Sequence, residues 1–237
     1  MHTDEYAEII NKACKKYDVR ISAFWCGWSG PAVWDFYEGP ETLGLLPEKY
    51  REQRIQDLKQ GSDFAKKIGV DTIATHVGFL PEIPTSKEYT EIIPRLRELC
   101  EYVKDNGQYF LFETGQETPV TLRRTIEDIG TDNLGINLDA ANLILYGKAN
   151  PIDSLSVFGE YVRNIHAKDG KYPVSGKALG DETPLGKGDV KFPEFIKKLK
   201  SIGYDMDITI EREISGEEQK RDIAEAKVYL EKLWEEY

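Results

Sequence analysis

The hydrophobic residues of this chain follow two alternating spacings, one typical of helices and one typical of strands. The first helical pattern covers residues 3–17, where Thr3 is a suitable N-cap and apolar residues recur every three or four positions. Further helices are predicted at about 47–68, 86–105 and 118–130, after Pro151, from near Phe192, and at about 216–235. Between them lie the predicted strands RISAFWCGW, VDTIATHVGF, QYFLFETG, LGINLDA, VRNIHAKDG and DITIERE.

Strands that alternate with helices pair in parallel, which predicts an α/β fold. No break in composition and no disordered linker divides the chain, so we expect a single domain over residues 1–237. A doubly wound sheet would usually carry a glycine-rich phosphate loop, and neither GxGxxG nor GxxxxGK[ST] occurs. Polar residues instead lie late in several strands, as they do at the mouth of a TIM-type (β/α) barrel. About six parallel strands of such a barrel are recognisable.

The charge of the chain restricts its partners. A net charge of −11 argues against nucleic acid and anionic membranes, whose phosphates attract basic surfaces. No apolar run approaches the ~20 residues of a membrane span, and the opening residues MHTDEYAEII do not resemble a signal peptide. The three cysteines, Cys14, Cys26 and Cys100, form no CxxC pair and no zinc-ribbon pattern. We therefore expect a reduced, cytoplasmic protein whose partner is a small molecule.

The strand VRNIHAKDG is unusual because its alternate positions are polar and would share one face. Late positions on four consecutive strands carry Glu113, Asp139, His166 and Glu211. Carboxylates that converge on a barrel mouth repel each other strongly unless a cation holds them. Three carboxylates and one imidazole suit one divalent ion, with Mn²⁺ or Mg²⁺ favoured and Co²⁺ or Zn²⁺ tolerated. The pattern therefore predicts a metal site.

Four segments of the chain, ETGQETP, GINLDAANLILYG, VRNIHAKDG and ITIEREISG, carry a resemblance to a known family. Together they resemble the xylose isomerase-like sugar phosphate isomerase/epimerase family, which includes D-tagatose 3-epimerase and inosose dehydratase. The resemblance covers most of the chain. It implies a TIM-type barrel whose metal ligands are Glu113, Asp139, His166 and Glu211. It also implies that Glu113 and Glu211 are the catalytic acid/base pair of the epimerase branch.

The chemistry of these residues is coherent without the family. A ketose or aldose offers a carbonyl and a neighbouring hydroxyl to a divalent ion, and a glutamate can remove the adjacent carbon-bound proton to give a metal-bound enediolate. Return of the proton to the opposite face gives an epimer, and return to the adjacent carbon gives an isomer. We therefore expect a divalent-metal-dependent isomerase or epimerase of a sugar or sugar phosphate. The alternatives are a keto-polyol dehydratase of the inosose dehydratase kind, with the same metal site, and a catalytically weak sugar-binding remnant.

Five further residues are candidates for contact with the substrate: His76, Trp25, Glu117, Asn142 and Lys168. Trp25 can stack on a sugar ring, and Lys168 can neutralise an enediolate or a phosphate. Structural alternatives are core packing for His76 and Trp25, helix capping for Glu117, and an ion pair with a site carboxylate for Lys168. The epimerase branch carries a histidine where this chain has Asn142, so the substrate hydrogen bond there would change.

The number of strands departs from the family pattern. The family barrel has eight strands and its first metal glutamate lies on the fifth, whereas FLFETG is the third strand recognisable here. We therefore expect a barrel that is incomplete at its amino end and lacks the first βαβ unit, with RISAFWCGW and DITIERE at the two edges. Exposed parallel edges invite pairing with another chain, so a homo-oligomer is compatible with the pattern, as is a loop that fills the gap. By alternation, Asp169 and Arg212 point away from the site, and we interpret both as members of structural ion pairs.

Overall fold

The computed structural model describes residues 2–237. The helices are α1 (Asp4–Tyr17), α2 (Gly39–Thr42), α3 (Glu48–Lys67), α4 (Lys87–Asp105), α5 (Pro119–Ile129), α6 (Ala140–Leu145), α7 (Pro151–Phe158), α8 (Phe192–Ser201) and α9 (Glu217–Glu236), with a 3₁₀ turn at Gly159–Tyr161. The strands are β1 (Phe24–Trp25), β2 (Thr72–Thr75), β3 (Tyr109–Glu113), β4 (Leu134–Asp139), β5 (Val162–Ala167), β6 (Asp169–Gly170), β7 (Glu182–Thr183) and β8 (Ile208–Ile210).

Six of the strands form one parallel sheet in the order β1-β2-β3-β4-β5-β8. Phe24 pairs with Ile73 at one edge, and Ile165 pairs with Ile208 at the other. The prediction of an incomplete TIM-type barrel with six parallel strands is confirmed, and so are the two predicted edges. Strand β1 is much shorter than the predicted RISAFWCGW, because an edge strand has a neighbour on one side only.

Burial of the strands explains how polar residues come to lie inside the fold. Every residue of β4 is buried, as expected for a parallel strand that is covered on both faces. Ile136 and Leu138 are fully buried, and the alternate positions carry the buried polar residues Asn137 and Asp139. The predicted alternation is therefore present in β4, with polar side chains on one face and apolar side chains on the other.

Four of the helices, α1, α4, α6 and α7, begin at residues whose side chains cap them. Thr3 Oγ1 accepts a hydrogen bond from the N–H of Tyr6 at the start of α1, and Ser86 Oγ accepts one from Tyr89 at the start of α4. Asn150 caps α7 in the same way. The short helices α2 and α6 were not predicted, because four and six residues are too few to display a helical spacing. None of the helices within residues 2–237 combines the length and apolarity needed to cross a membrane.

Contacts divide the chain into two compact units. The first runs to Glu113 and includes Arg124–Ile136, and the second comprises Thr114–Arg123 and Asn137–Tyr237. In the first unit α3 packs against α4 and β2, and in the second α7 packs against α8. A single domain over residues 1–237 stays a prediction.

The polar segment between β5 and α8 folds around the buried carboxylate of Asp169. This carboxylate accepts hydrogen bonds of 2.9–3.2 Å from the N–H groups of Gly170, Gly186, Gly188 and Val190. A Cβ on Gly188 would lie 2.2 Å from Asp169 Oδ1, so the close approach requires glycine. The interpretation of Asp169 as an ion-pair member is therefore wrong, because main-chain N–H groups satisfy its charge.

Arg212, by contrast, forms the predicted structural ion pairs. Its guanidinium lies 3.0 Å from Glu182 and 2.9 Å from Asp222. Glu182 belongs to the small antiparallel sheet of β6 and β7, which the sequence pattern did not predict. Arg212 therefore ties this hairpin to the residues between β8 and α9.

Candidate metal centre

Glu113 ends strand β3 against aromatic residues of the first unit. Its side chain is buried, Trp25 Nε1 donates a hydrogen bond to its Oε2, and His76 Nε2 lies 3.6 Å from the same oxygen. The ring of Trp34 meets the ring of His76 edge-on, with centroids 5.0 Å apart. An indole and an imidazole therefore fix the direction of the Glu113 carboxylate.

Asp139 ends strand β4 and also caps helix α6. Its Oδ1 accepts a 2.8 Å hydrogen bond from the N–H of Asn142, and its Oδ2 lies 3.5 Å from Lys168 Nζ. The Oγ1 of Thr114 donates to the main-chain oxygen of Asp139 at 2.8 Å. The side chain is fully buried. One carboxylate oxygen therefore stabilises the helix, while the other faces the charged side of the site.

The imidazole of His166 on β5 lies between an amide and a carboxylate. Its Nε2 is 3.1 Å from Asn137 Nδ2, and its Nδ1 is 2.9 Å from Glu211 Oε2. Asn137 Oδ1 in turn accepts a 2.7 Å hydrogen bond from Asn164 Nδ2. A metal-binding histidine is usually oriented through its second nitrogen. Nδ1 faces Glu211 in the cluster and is the candidate ligand atom in the tautomer that carries its proton on Nε2, while Asn137 contacts the ring at Nε2.

Lys168 supplies a positive charge beside these acids. Its buried Nζ lies 2.8 Å from Glu213 and 3.9 Å from Glu211. Burial disfavours the ammonium, but Asp139, Glu211 and Glu213 outweigh burial and raise the pKa of Lys168. Burial also opposes ionisation of Glu211, yet the hydrogen bond from His166 and the charge of Lys168 lower the pKa of Glu211 to about 2. Glu211 is therefore a carboxylate at neutral pH.

One cluster of potential ligands contains all four residues that the sequence pattern predicted as metal ligands. Each offers one ligand atom, and these atoms lie within 4.8 Å of one another in Glu113, Asp139, His166 and Glu211. Two carboxylates at such a separation repel each other by roughly 3 kcal/mol at an effective dielectric constant of about 20. A single lysine does not neutralise three of them. The set of carboxylate oxygens and one imidazole nitrogen therefore fits a divalent cation.

Comparison with known proteins decides the family. The family model of xylose isomerase-like TIM barrels matches residues 2–233 of the chain. The chain belongs to the xylose isomerase-like TIM-barrel family. A xylose isomerase domain protein from Planctomyces limnophilus is 37% identical, with a TM-score of 0.91 over 98% of this chain and 83% of that chain. The resemblance inferred from the four sequence segments is confirmed.

Proteins that are similar to this chain carry different activities in their names. A 3-dehydroshikimate dehydratase from Bacillus anthracis is 28% identical over 171 residues, which are 65% of this chain and 60% of that enzyme. A solved D-tagatose 3-epimerase-like protein is 22% identical, with a TM-score of 0.76 over 99% of this chain and 84% of that chain, and this match shows the fold. The matched regions are 59% and 60% of the lengths of two curated relatives. Proteins similar to this chain therefore include one named as epimerase-like and one named as a dehydratase.

The five candidate substrate residues of this family member lie in different surroundings. Trp25 and His76 lie against Glu113. Asn142 Oδ1 accepts a 3.3 Å hydrogen bond from Lys168 Nζ, so the side chains of Asn142 and Lys168 contact each other beside Asp139. Glu117 is buried in the segment between β3 and α5. Contact with a substrate stays a prediction for all five.

Three residues beside the cluster were missed by the sequence reasoning. Asn137 orients His166, and its position two residues before Asp139 was the available signal. Glu213 pairs with Lys168 and likewise follows Glu211 by two residues. Trp34 contacts His76 from a loop, and no periodicity could have selected it.

Glu117 has an environment that favours its neutral form. Its side chain is 3% exposed, and burial raises the pKa of Glu117 to about 8, although nearby main-chain N–H groups and Lys148 partly oppose the shift. The carboxyl group is therefore mostly protonated at neutral pH. A neutral acid at this position can donate a hydrogen bond as well as accept one.

Replacing Glu117 by Gln is expected to stabilise the protein increasingly as pH rises. The folded state keeps a proton that the unfolded state releases above its ordinary pKa near 4.5, so wild-type stability falls between pH 4.5 and 8. Glutamine removes this dependence, and the advantage of the variant should grow by about 1.4 kcal/mol per pH unit over that range. Urea unfolding at pH 5, 6.5 and 8 measures it, with the exposed Glu101→Gln as control. If the difference in unfolding free energy between Glu117→Gln and the wild type does not change with pH, the raised pKa of Glu117 is contradicted.

Proposed function

We propose that the protein is a divalent-metal-dependent isomerase or epimerase that acts on a sugar or sugar phosphate. The observation that carries the proposal is the cluster in which two glutamates accompany one aspartate and one histidine. Epimerisation and aldose–ketose isomerisation both need a base that removes a carbon-bound proton and an acid that returns it. Glu113 and Glu211 supply these two groups.

The surroundings of Glu113 and Glu211 suit proton transfer. Glu211 is ionised because His166 and Lys168 offset the cost of its burial, so it can accept a proton directly. Glu113 is oriented by the N–H of Trp25 and by His76. It is the second proton-transfer group and returns a proton to the substrate carbon. A divalent ion in the cluster would supply a Lewis acid for the carbonyl and the adjacent hydroxyl of the substrate.

Other residues of the site are proposed to bind the substrate. The ammonium of Lys168 compensates negative charge that develops on the substrate oxygens when the proton leaves. Glu117 Oε1 is buried and has no hydrogen-bond partner within residues 2–237, so a substrate hydroxyl can occupy that role. Trp25 and His76 present ring faces and edges for the carbon side of a sugar, and Asn142 offers an amide.

The identity of the metal and the cellular setting form part of the proposal. Three carboxylates favour Mn²⁺ or Mg²⁺ over softer ions, and one imidazole keeps Co²⁺ and Zn²⁺ compatible. The free cysteines Cys14, Cys26 and Cys100 suit the reducing cytoplasm.

Deuterium exchange tests the proposed function across many sugars at once. A panel of ketoses, aldoses and their phosphates is incubated with the Mn²⁺-loaded protein in deuterium oxide and followed by NMR. We expect one substrate class to exchange a carbon-bound proton next to its carbonyl and to yield an isomer or epimer. Absence of metal-dependent exchange across the panel would overturn the proposal and favour a sugar-binding remnant.

A dehydratase acting on a keto-polyol is the second candidate. The relationship to a 3-dehydroshikimate dehydratase, at 28% identity, favours it. The initial proton removal is the same, but the hydroxyl next to the new negative charge then leaves as water. Keto-polyols added to the same NMR panel separate the two candidates, because a dehydratase breaks a carbon–oxygen bond while an epimerase keeps every hydroxyl.

A further inference from the structure

The segment of residues 29–44 joins β1 to the residues before α3 and has little regular structure. Apart from the four-residue helix α2 it contains no helix or strand, so its buried carbonyl groups need partners from elsewhere. It carries Trp34 and directly follows Trp28, and both side chains belong to the aromatic group beside Glu113. The way this segment is held therefore affects the site.

Arg54 on α3 supplies these partners from a fully buried position. Its guanidinium donates hydrogen bonds to main-chain carbonyl oxygens at 2.6–3.2 Å, and the acceptors are Ser29, Pro31, Thr42 and Gly44. The same group lies 5.3 Å from the ring of Trp28 and 4.8 Å from the ring of Tyr50. A planar, forked cation can reach four carbonyls at once, and no neutral side chain can.

The far end of the segment is fixed against the strand that leads to His76. Gly44 has a positive φ of 69°, and a Cβ at this position would lie 2.0 Å from the carbonyl oxygen of Val77. The N–H of Leu45 donates to that same oxygen at 2.7 Å. Arg54 holds the Gly44 carbonyl from the other side. The guanidinium thus joins the residues that follow β1 to the residues that pack on Val77.

An unbroken set of ring contacts connects Arg54 with Glu113. The ring of Trp28 lies 5.9 Å from that of Trp25 and 6.4 Å from that of Trp34. Trp34 contacts His76, and Trp25 donates to Glu113. We call the rings of Trp25, Trp28, Trp34 and His76 the aromatic wall. Trp25 and Trp34 are 42% and 43% exposed, so the wall has open ring surface that a ligand can cover.

We propose that Arg54 is a positioning residue that sets the aromatic wall, and thereby the binding of the carbon face of the substrate, without touching the substrate itself. The role in substrate binding rests on the proposed function. The effect on the wall does not, because it can be measured on the tryptophans. The observations that carry the proposal are the four carbonyl bonds and the position of the guanidinium over the ring of Trp28.

Arg54→Lys tests the proposal, because lysine keeps the charge but loses the fork. Arg51→Lys is a matched control: Arg51 lies on the same helix and is also mostly buried, and it donates to the carbonyls of Leu45 and Leu46 rather than contacting the wall. Of the four tryptophans, three lie in the wall. We expect altered tryptophan emission and easier acrylamide quenching for Arg54→Lys alone.

The kinetic expectation separates positioning from general damage. Arg54→Lys should raise KM about tenfold while kcat stays within about threefold, because an interaction made equally in ground and transition states is lost. Arg51→Lys should leave both constants unchanged. Wild-type emission and KM in Arg54→Lys would overturn the proposal, and so would equal changes in the two variants. If no sugar of the panel reacts, the fluorescence comparison still decides about Arg54.

A second variant covers the case in which Arg54→Lys does not fold. Trp28→Leu leaves the carbonyl bonds of Arg54 in place but removes the ring that links the guanidinium to the wall. We expect the same rise in KM and the same loosening of the remaining tryptophans. Unchanged quenching of Trp25 and Trp34 in Trp28→Leu would contradict the connection.

Discussion

Replacing Glu113 or Glu211 by glutamine is expected to abolish transfer of the carbon-bound proton of the substrate. An amide cannot accept that proton, and loss of a positioned general base typically lowers the rate by about 10²–10⁴-fold. Loss of a carboxylate ligand from the cluster adds to the effect. The measurement is deuterium wash-in by NMR, for each variant, at a Mn²⁺ concentration that saturates the variant.

The design of this experiment distinguishes loss of the base from loss of the metal. Mn²⁺ binding is determined for each variant beforehand, so that rates are compared at equal occupancy. Glu225→Gln is a suitable control because Glu225 is exposed on α9 and the change removes the same charge. A variant of Glu113 or Glu211 that retains near-native wash-in would show that the residue is not an essential base.

Replacing Asp139 by asparagine is expected to weaken divalent-metal binding by at least about 100-fold, since even changes beyond the ligands cost 10–100-fold. This substitution is informative because Asp139 also caps α6, and asparagine is an equally good N-cap. The helix should therefore persist while the negative charge is lost. Isothermal titration with Mn²⁺ measures the affinity.

Thermal unfolding provides a second readout for the same substitution. A metal at 100 times its Kd stabilises the folded state by about 2.7 kcal/mol, so Mn²⁺ should raise the melting temperature of the wild type and not that of Asp139→Asn. Asp153→Asn, an exposed change in the first turn of α7, is the control and should respond like the wild type. An Asp139→Asn variant that binds Mn²⁺ normally would remove Asp139 from the ligand set.

The positions of the four cluster residues were predictable because two simple rules act together. Side chains on a strand alternate with a period of two, and the carboxyl ends of parallel strands lie at the same edge of a sheet. Glu113 and Asp139 end their strands, His166 comes late in β5, and Glu211 directly follows β8. Local sequence therefore sufficed to bring them into one cluster, although it does not establish their roles.

Other parts of the site depend on contacts that no local pattern records. Trp34 and Arg54 are connected to the site through an irregular loop, and hydrogen bonds to carbonyl groups hold the path of this loop. Because every residue has a carbonyl group, the sequence does not indicate which of them accept these bonds. Lys168 was assigned to the strand of His166, but it lies in the turn between β5 and β6, where its N–H donates to the carbonyl of His166. The hairpin of β6 and β7 depends on Asp169, whose partners are main-chain N–H groups up to 21 residues away.

Binding of one divalent ion by four side chains underlies both the proposed chemistry and the expected effects of these substitutions. Crystals of the Mn²⁺-loaded protein, measured on both sides of the manganese absorption edge, reveal the ion and its ligands together. We expect one anomalous peak within ligand distance of Glu113, Asp139, His166 Nδ1 and Glu211, and no such peak in Asp139→Asn. A peak that lacks any one of the four residues, or a fully loaded protein without a peak at this cluster, would contradict the metal centre.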